Sequence, residues 1–447
     1  MHRLSFSRQT RCLLLIFLSF LWTSAGYLSW LYRLLELPVG VDVELVSEVI
    51  CYLLQALGLL LFALSVRAKP AFAGTPSFAA VVAADLLFLC LAVLLPSAAA
   101  VLICGGLMNL LHGLVAGFYL HRLALCVDWD RRALTFGLGY GLASLAAWLL
   151  SLFFGGRFLR SGYVLLVYVA LAALSLAPVL REPSAPTGEA HSDGEPVSAG
   201  TLALAALTVL LLSLVKGLGF SFPSADISQG IDLELSRVFY AVGLILAGLI
   251  SDKERRYGAI FCVSALGIPF LMIMLTDQIG SSVLLWILSY LLFGFFSVFR
   301  VVLFSDVSRK GAGLLWLSGF GLLFGRVGDA LGTLGCIVLT PLALIVTAVA
   351  VFTVTVVVFF LLYQRIYLPA PIREPTEQER FERFATEHDL STREREILQL
   401  ILDGRSTQEI ANELFVTTST VKFHIHNLLK KAHCANRIDL VAQYRMH

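Results

Sequence analysis

Charged residues are scarce in most of this chain, and their scarcity excludes a water-soluble globular protein. They make up 14% of the 447 residues, whereas hydrophobic residues make up 58%. A soluble domain carries charge on about a quarter of its residues, because water must solvate its surface. Most of this chain must therefore be solvated by lipid, and we expect the lipid bilayer as a partner.

The sequence also lacks the patterns that indicate an enzyme or a metal centre. None of its eight cysteines forms a pair with metal-ligand spacing or belongs to a compact disulfide framework. It contains no nucleophile motif and no phosphate-binding loop. We therefore expect no catalytic residues, no metal ligands and no cofactor, and the protein is predicted not to be an enzyme.

Long apolar runs recur throughout residues 1–368, and each approaches the roughly 20 residues that cross a bilayer core as a helix. The predicted spans are 12–32, 44–66, 77–95, 98–121, 132–154, 162–180, 200–222, 235–251, 258–275, 281–304, 313–337 and 341–363. A polar linker rich in Pro and Gly, residues 181–199, separates the first six from the last six. The predicted fold is an all-α polytopic membrane helical bundle of about 12 spans, with halves at about 11–180 and 200–364.

Basic residues in the loops predict the orientation of these spans. With the N-terminus inside, the inward segments before the tail hold fourteen lysines and arginines and the outward segments hold four. This distribution follows the positive-inside rule. We expect a multi-pass protein of the cell (inner, cytoplasmic) membrane with both termini in the cytoplasm, where DNA is found.

A faint internal repeat supports two equivalent halves. Four charged positions recur after 178 residues: Arg122, Asp128, Arg131 and Arg132 correspond to Arg300, Asp306, Arg309 and Lys310. Each set lies around the end of the fourth span of its half, before the fifth span continues. The layout of six plus six spans therefore points to two related units.

This layout resembles the major facilitator superfamily of transporters. The segment Gly248 to Arg256, Gly-Leu-Ile-Ser-Asp-Lys-Glu-Arg-Arg, is similar to that family's Gly-x-x-x-Asp-Arg-x-Gly-Arg-Arg loop. It is one residue short and lacks the inner glycine. The resemblance covers residues 1–370 and implies a transporter-like bundle, so active transport stays open as an alternative.

Ionisable residues inside the predicted spans are the candidates for a ligand site, because burying charge in lipid is costly. They are Asp85, His112, Lys216, Arg326 and Asp329. Arg326 and Asp329 share a helix face and are expected to neutralise each other. His112 also suits a satisfied polar group between helices. Asp85 and Lys216 have no local partner, which favours a cavity or a contact across the bundle.

Beyond the last span the composition becomes polar. Residues 369–388 are predicted to form a solvated cytoplasmic connector, and residues 389–447 a four-helix domain. Capping-box spacing at Ser391 and at Ser406 predicts the first two helices, and Thr417 can cap the third. A fourth is predicted at about 436–444. Two short helices joined by a tight turn indicate a helix-turn-helix.

Charge within this domain is segregated. Residues 389–414 carry a net charge of −3, and residues 415–438 carry +4 without an acidic residue. A polyanion should therefore meet the third helix. Val421, Ile425 and Leu428 recur at helical spacing and should anchor that helix. Lys422, Phe423 and His426 would then point away from the core, toward a groove.

The domain resembles the LuxR/NarL-type family of bacterial transcription factors. The matching residues are Leu390-Ser-Thr-Arg-Glu-Arg-Glu-Ile-Leu398, Gly404, Ile410-Ala411, Leu414, Thr420-Val-Lys-Phe-His424, Lys431 and Asn436-Arg437. The resemblance implies base contacts by Lys422, Phe423 and His426, and phosphate contacts by Thr417, Thr420 and Lys431. Ala432 and His433 depart from the family's usual leucine and glycine, which puts packing of the dimerising fourth helix in doubt.

The leading interpretation is a membrane-bound transcriptional regulator whose bundle senses a small molecule or a membrane signal and modulates sequence-specific DNA binding. The alternative is a secondary transporter of the major facilitator type with a regulatory DNA-binding tail. Expected partners are double-stranded DNA and a small-molecule ligand. A homodimer through the C-terminal helix and contact with RNA polymerase stay open.

Overall fold

A computed structural model describes residues 7–36, 42–43, 45–153, 164–180, 197–224, 233–267, 283–311, 313–367 and 377–446. Secondary structure within these ranges is helical throughout. Of the predicted linker 181–199, residues 181–196 lie outside the described residues, and so do residues 369–376 of the predicted connector. The chain divides into two compact units, residues 1–368 and 369–447.

In the described residues of the first unit, twelve helices overlap the twelve predicted spans. They are α1 (Arg8–Glu36), α2 (Cys51–Ala68), α3 (Thr75–Leu94), α4 (Ala98–Cys126), α5 (Arg132–Phe153), α6 (Val164–Leu180), α7 (Ala199–Ser224), α8 (Leu233–Lys253), α9 (Arg255–Ala265), α10 (Val283–Ser308), α11 (Phe320–Val338) and α12 (Pro341–Ile366). A π-helical turn, Leu45–Ile50, leads directly into α2.

Nine helices in the described part of the chain are long and apolar enough to cross a membrane. The apolar stretch of α6 is shorter, and α8 and α9 do not meet the same criteria over their described lengths. The all-α membrane bundle predicted from composition is therefore confirmed. The count of twelve spans stays a prediction.

The helices of the two halves pack closely at corresponding places. Gly58 on α2 meets Gly113 on α4, and a side chain at Gly58 would lie 2.0 Å from a backbone oxygen of α4. Gly243 on α8 meets Gly294 on α10 in the same manner, with 1.9 Å to a backbone oxygen. Only glycine allows such close backbone contact. The second and fourth helices of each half thus pack through a pair of glycines in the same way, which accords with the internal repeat.

The described part of the second unit, residues 377–446, contains five helices: α13 (Glu377–Glu387), α14 (Thr392–Leu402), α15 (Thr407–Glu413), α16 (Thr418–Lys431) and α17 (Arg437–Met446). They enclose a separate hydrophobic core. The expectation of a solvated connector is wrong for α13, because Phe384 and Ala385 are fully buried and the Phe384 ring packs edge-on against Tyr444 of α17. The apolar side chains of α13 belong to this core, so the compact domain begins before residue 389.

Candidate functional sites in the bundle and the C-terminal domain

A cavity of about 450 Å³ lies between the two halves of the bundle. Its walls come from α1, α2, α4 and α5 of the first half and from α7, α8, α10 and α11 of the second. Small-molecule sites commonly enclose about 300–1,000 Å³. The lining includes six tyrosines: Tyr27, Tyr52, Tyr119, Tyr140, Tyr240 and Tyr290. The cavity therefore offers aromatic surface and hydroxyl groups to a ligand of small-molecule size.

Asp329 is the centre of the charge arrangement in this cavity. The carboxylate is almost fully buried, with Nζ of Lys216 2.9 Å from Oδ1 and Nη1 of Arg300 3.2 Å from Oδ2. These contacts join α7, α10 and α11. A buried carboxylate needs such partners, since an unpaired one would have to leave water without compensation. Lys216 and Asp329, both candidates from the sequence, therefore lie in contact in the wall of this cavity.

The predicted pairing of Arg326 with Asp329 is wrong. The guanidinium of Arg326 instead lies over the ring of Tyr52, 4.6 Å from its centroid. Asp329 points to Lys216 and Arg300 because those side chains reach it from neighbouring helices, whereas Arg326 leaves α11 one turn away. Among the described residues, no carboxylate lies within ion-pair distance of Arg326, and its Nε makes no hydrogen bond.

Arg300 was missed as a site residue. It lies within the apolar run 281–304, so the cost of placing a charge in a span was a sufficient signal. In the sequence, Arg300 was recognised only as the counterpart of Arg122 in the internal repeat. Only the tertiary structure shows that its guanidinium reaches the cavity and Asp329.

Asp85 and His112 form a contact between α3 and α4. Nε2 of His112 lies 3.5 Å from Oδ2 of Asp85, and neither carboxylate oxygen makes a hydrogen bond to a described residue. His112 lines the cavity, whereas Asp85 lies behind it and is fully buried. Asn109 is engaged elsewhere, donating to the carbonyl of Gly105 and accepting from Gln55. The partner of His112 is therefore Asp85.

A cluster of four charged residues, Arg132, Asp252, Arg255 and Asp306, joins the halves near one end of the bundle. Asp306 accepts from Nη1 of Arg132 at 2.5 Å and from Nε of Arg255 at 2.7 Å. Asp252 accepts from Arg255 at 2.7 Å and from two backbone N–H groups in the first turn of α5, at 2.8 and 2.7 Å. A carboxylate is favoured there because a helix N-terminus is electropositive. We call these four residues the ionic cluster.

The ionic cluster brings together two features that the sequence showed separately. Asp252 and Arg255 belong to the loop that resembles the major facilitator motif, and Arg132 and Asp306 belong to the internal repeat. The missing inner glycine has not prevented this loop from binding the start of α5. These contacts link α5 of the first half to α8, α9 and α10 of the second.

Local capping fixes the helices of the C-terminal domain. Ser391 and Glu394 form a capping box at the start of α14, and Ser406 and Glu409 form another at α15. Thr417 caps α16 by accepting from the backbone N–H of Thr420 at 3.3 Å. All three predicted caps are confirmed. A serine, threonine or asparagine oxygen satisfies backbone donors that a first helical turn leaves unpaired.

The second helix of the motif, α16, presents one buried and one exposed face. Val421 and Leu428 are fully buried and hold the helix to the core. Lys422, Phe423 and His426 are exposed, and 62% of the Phe423 surface is accessible. Most of this apolar ring is therefore accessible to a binding partner. The exposed face is available to enter a groove, as the helical spacing predicted.

The contacts of Lys431 differ from the predicted phosphate contact. Its Nζ donates to Oε2 of Glu394 at 2.8 Å and to the carbonyl of Asp389 at 2.9 Å. Lys431 therefore has a structural partner inside the domain, because its side chain turns back along α14. Thr417 is exposed and Thr420 half-buried at the start of α16, where their hydroxyls lie 2.8 Å apart.

The pKa of Glu394 reflects this contact. Burial by itself raises the pKa of this carboxyl, but hydrogen bonds from Lys431 and from Ser391 outweigh it and hold the pKa below its ordinary value. Hydrogen bonds to the charged form of an acid favour its ionisation. Glu394 is thus a charged cap of α14 as well as the partner of Lys431.

Ala432 and His433, which depart from the LuxR-type pattern, lie in two different environments in the domain. Ala432 is fully buried, and Leu440 of α17 is still packed in the same core, so the expected loosening of this helix is not seen in its core contacts. His433 adopts a positive φ of 55°. This left-handed conformation is costly for a residue with a side chain, and glycine adopts it freely.

The C-terminal domain is similar to known bacterial regulators. Residues 388–443 match the family model "Bacterial regulatory proteins, luxR family". The spore germination protein GerE of Bacillus subtilis (strain 168) is 39% identical over 54 residues, which cover 12% of this chain and 73% of that protein. The nitrate/nitrite response regulator protein NarL of Escherichia coli (strain K12) is 43% identical over 63 residues, 13% of this chain and 29% of NarL. The transcriptional regulatory protein DesR of Bacillus subtilis (strain 168) is 37% identical over 60 residues, 13% of this chain and 30% of DesR.

The bundle is similar to a transporter of known structure. The crystal structure of the human organic anion transporter MFSD10 (TETRAN) matches with a TM-score of 0.53 and 16% sequence identity, over 79% of this chain and 98% of that one. At this identity the likeness shows the fold alone. These families are regulatory and transporter proteins rather than enzymes. Through residues 388–443 the chain belongs to the LuxR family of bacterial regulatory proteins, and this DNA-binding domain is joined to a membrane bundle with a major facilitator fold.

Proposed function

We propose that this protein is a membrane-bound transcriptional regulator in which a small molecule in the cavity changes DNA binding by the C-terminal domain. One observation carries the proposal: a single chain joins a LuxR-type DNA-binding domain to a bundle whose two halves enclose a cavity lined with charge. In this arrangement the bundle is the sensor and the exposed face of α16 reads the DNA.

A shift between two states of the bundle would transmit the signal. A ligand changes such an equilibrium only if it binds the two states unequally. The cavity is walled by both halves, and the ionic cluster joins the halves at one end. A ligand that contacts both halves is therefore sensitive to their relative arrangement. A tenfold change in the ratio of the states requires about 1.4 kcal/mol of differential binding.

The proposed orientation follows from the basic loops. Both termini lie in the cytoplasm, so the ionic cluster faces the cytoplasm and the C-terminal domain has access to the chromosome. Fusion of alkaline phosphatase and of green fluorescent protein at residue 447 tests this. An active phosphatase fusion at residue 447, together with a green fluorescent protein fusion that does not fluoresce, would contradict a cytoplasmic C-terminus.

Pairing of two C-terminal domains through α17 is part of the same proposal. Ile438 on this helix is 82% exposed, so its apolar side chain is available to pack against a second domain. A fragment of residues 369–447 should sediment as a concentration-dependent dimer. An Ile438→Asp variant should remain a monomer, and a wild-type fragment that is monomeric at every concentration would contradict pairing through α17.

The direct test is chromatin immunoprecipitation of the full-length protein in its own cells. Wild type is compared with a variant in which Lys422, Phe423 and His426 are all replaced by alanine, at equal abundance in the membrane. Discrete peaks present in the wild type and lost in the variant support a tethered regulator and identify its genes. Absence of peaks under every growth condition would contradict the proposal.

The second candidate is a secondary transporter with a regulatory tail. The major facilitator fold favours it, together with a cavity between halves that are joined by charge at one end. Sealed vesicles containing the wild-type protein would then accumulate a solute that binds the cavity, and a Lys216→Met variant would not. Binding without accumulation would exclude this alternative for that solute.

A further inference from the structure

We propose that the cavity binds an organic monoanion, a carboxylate on a flat apolar or aromatic body, and that Arg326 is its charge partner. This inference deepens the proposed function, because it rests on the cavity being the sensory site. It is carried by the charge balance of the lining, the contacts of Arg326 and the aromatic wall.

The lining carries a surplus of positive charge. Lys216, Arg300 and Arg326 face two carboxylates, Glu48 and Asp329. Asp329 contacts two of these cations, with one oxygen directed to Lys216 and the other to Arg300, and its single negative charge balances one of the two. Glu48 precedes α2 and accepts from Oγ1 of Thr333 at 3.4 Å. Three cations against two anions leave one positive charge for a ligand to balance.

Among the lining cations, Arg326 is the one that Asp329 does not contact directly. Its guanidinium lies on the Tyr52 ring, and in the described ranges it has no carboxylate within ion-pair distance. Its Nε is buried and makes no hydrogen bond to a described residue. A guanidinium presents its donors as a planar fork that fits the two oxygens of a carboxylate. Placing a carboxylate there would satisfy the buried donor and balance the charge in one step.

The aromatic wall indicates what the rest of the ligand is made of. Phe20 stacks on Tyr140 with 3.8 Å between ring centroids and 11° between planes. Tyr119 packs against Phe20 at 5.1 Å, Tyr240 against Tyr140 at 5.5 Å, and Tyr290 against Tyr240 at 6.4 Å. These five rings form a continuous surface across α1, α4, α5, α8 and α10. Aromatic and flat apolar groups bind such a surface by burying area against ring faces and edges.

Other ligand charges fit this lining less well. A cationic ligand would enter a site that already has three cations and in which Asp329 is occupied. A neutral ligand would leave the surplus positive charge of the lining uncompensated. A dianion would exceed the single surplus charge. The monoanion is the one class that brings the balance to neutrality.

Binding to the purified full-length protein in lipid nanodiscs, without DNA, tests the inference. The probes are benzoate and 3-phenylpropionate, with benzamide, 3-phenylpropionamide and benzylamine as matched neutral and cationic compounds. Affinity is measured by calorimetry and by the shift in Tm. At least one carboxylate should bind, and its amide and the amine should bind at least about tenfold more weakly, since a hydrogen-bonded charge is worth about 1.5–3 kcal/mol.

Variants assign the effect to Arg326. Arg326→Gln should reduce carboxylate affinity to that of the amide, and Arg326→Lys should retain part of it. Arg131→Gln is the matched control, because the Arg131 side chain is 64% exposed outside the cavity. The Tm of each variant without ligand shows whether it folds. If Arg326→Gln does not fold, the affinity of Arg326→Lys still tests the inference. Equal binding of the amide or amine, unchanged affinity in both Arg326 variants, or no binding of either carboxylate would overturn the inference.

This test is independent of the regulatory proposal. Carboxylate binding without any peak in chromatin immunoprecipitation would contradict regulation and preserve the ligand class. Peaks that depend on Lys422 without carboxylate binding would preserve regulation and reject the ligand class.

Discussion

Lys431 donates to the carboxylate of Glu394, with 2.8 Å between Nζ and Oε2, and so ties the end of α16 to the start of α14. Glu394 is buried and also accepts from the backbone N–H of Ser391 at 2.8 Å. One carboxylate therefore caps α14 and contacts α16, the helix that we propose reads DNA. The orientation of α16 depends on a contact between residues far apart in the chain.

Replacing Lys431 with methionine should destabilise the C-terminal domain by about 1–3 kcal/mol, because a buried carboxylate loses its charged partner. Urea unfolding of a fragment of residues 369–447, which has its own core, measures this. Lys430→Met is the matched control, since Lys430 is the neighbouring residue in the same helical turn and is exposed, and it should change stability by less than about 0.5 kcal/mol. Equal effects of the two substitutions would contradict the structural role of Lys431.

Acid should destabilise the same fragment through Glu394. Because the pKa of this carboxyl is lower in the folded state, its stabilisation is present in full above its unfolded pKa of about 4.3. It is lost as the pH falls through the lower pKa of the folded state. Glu394→Gln should therefore show a flatter dependence of unfolding free energy on pH below about 4.3. An unchanged slope would show that Glu394 is not held in its charged form.

Lys422→Ala should weaken specific DNA binding by about 1–3 kcal/mol, because a lysine on the exposed face of α16 can donate to guanine acceptors in the major groove. The measurement is a mobility-shift titration with DNA recovered by immunoprecipitation, at fixed salt. Gln399→Ala on the exposed face of α14 should leave the affinity unchanged. Equal loss on unrelated DNA would indicate a phosphate contact rather than base reading.

His433→Gly should stabilise the C-terminal domain by about 0.5–1 kcal/mol. The gain follows from the positive φ at this position, where a side chain is strained and glycine is not. His424→Gly, in the middle of α16, should instead cost about 1 kcal/mol. Loss of stability in both variants would show that the His433 side chain contributes more than its backbone conformation costs.

Asp306→Asn should destabilise the bundle, because it removes the common partner of Arg132 and Arg255, whose side chains are only 1% and 7% exposed. Breaking a buried pair on one side costs about 3–5 kcal/mol. The expected result is a fall in the Tm of the full-length protein in detergent. Asp130→Asn, at a side chain 65% exposed, should leave the Tm unchanged. A Tm unaltered by Asp306→Asn would show that the ionic cluster does not hold the halves together.

The apolar runs and the caps were readable from the sequence because both are local. About 20 consecutive apolar residues need only their own backbone hydrogen bonds to form a helix in lipid. Ser391 and Ser406 cap their helices through residues three positions away. The alternation of buried Val421 with exposed Lys422 on α16 also follows from helical spacing alone.

Partners across the bundle could not be predicted, because they depend on how helices distant in sequence are placed. Spacing along α11 suggested Arg326 for Asp329, and the packing of α7 and α10 supplied Lys216 and Arg300 instead. The polar composition of α13 suggested a solvated helix, but its buried residues Phe384 and Ala385 lie in a core formed with later helices.

By itself the sequence determined that this protein is a helical membrane bundle followed by a DNA-binding domain, since composition, helical period and capping residues are properties of short segments. Only the tertiary structure decided that the two halves enclose a cavity, that Asp329 contacts both Lys216 and Arg300, and that Arg326 faces the cavity with Tyr52. The physical reason is that charge pairing in a protein interior depends on distance in space, and a buried carboxylate is neutralised by whichever cations packing brings within reach.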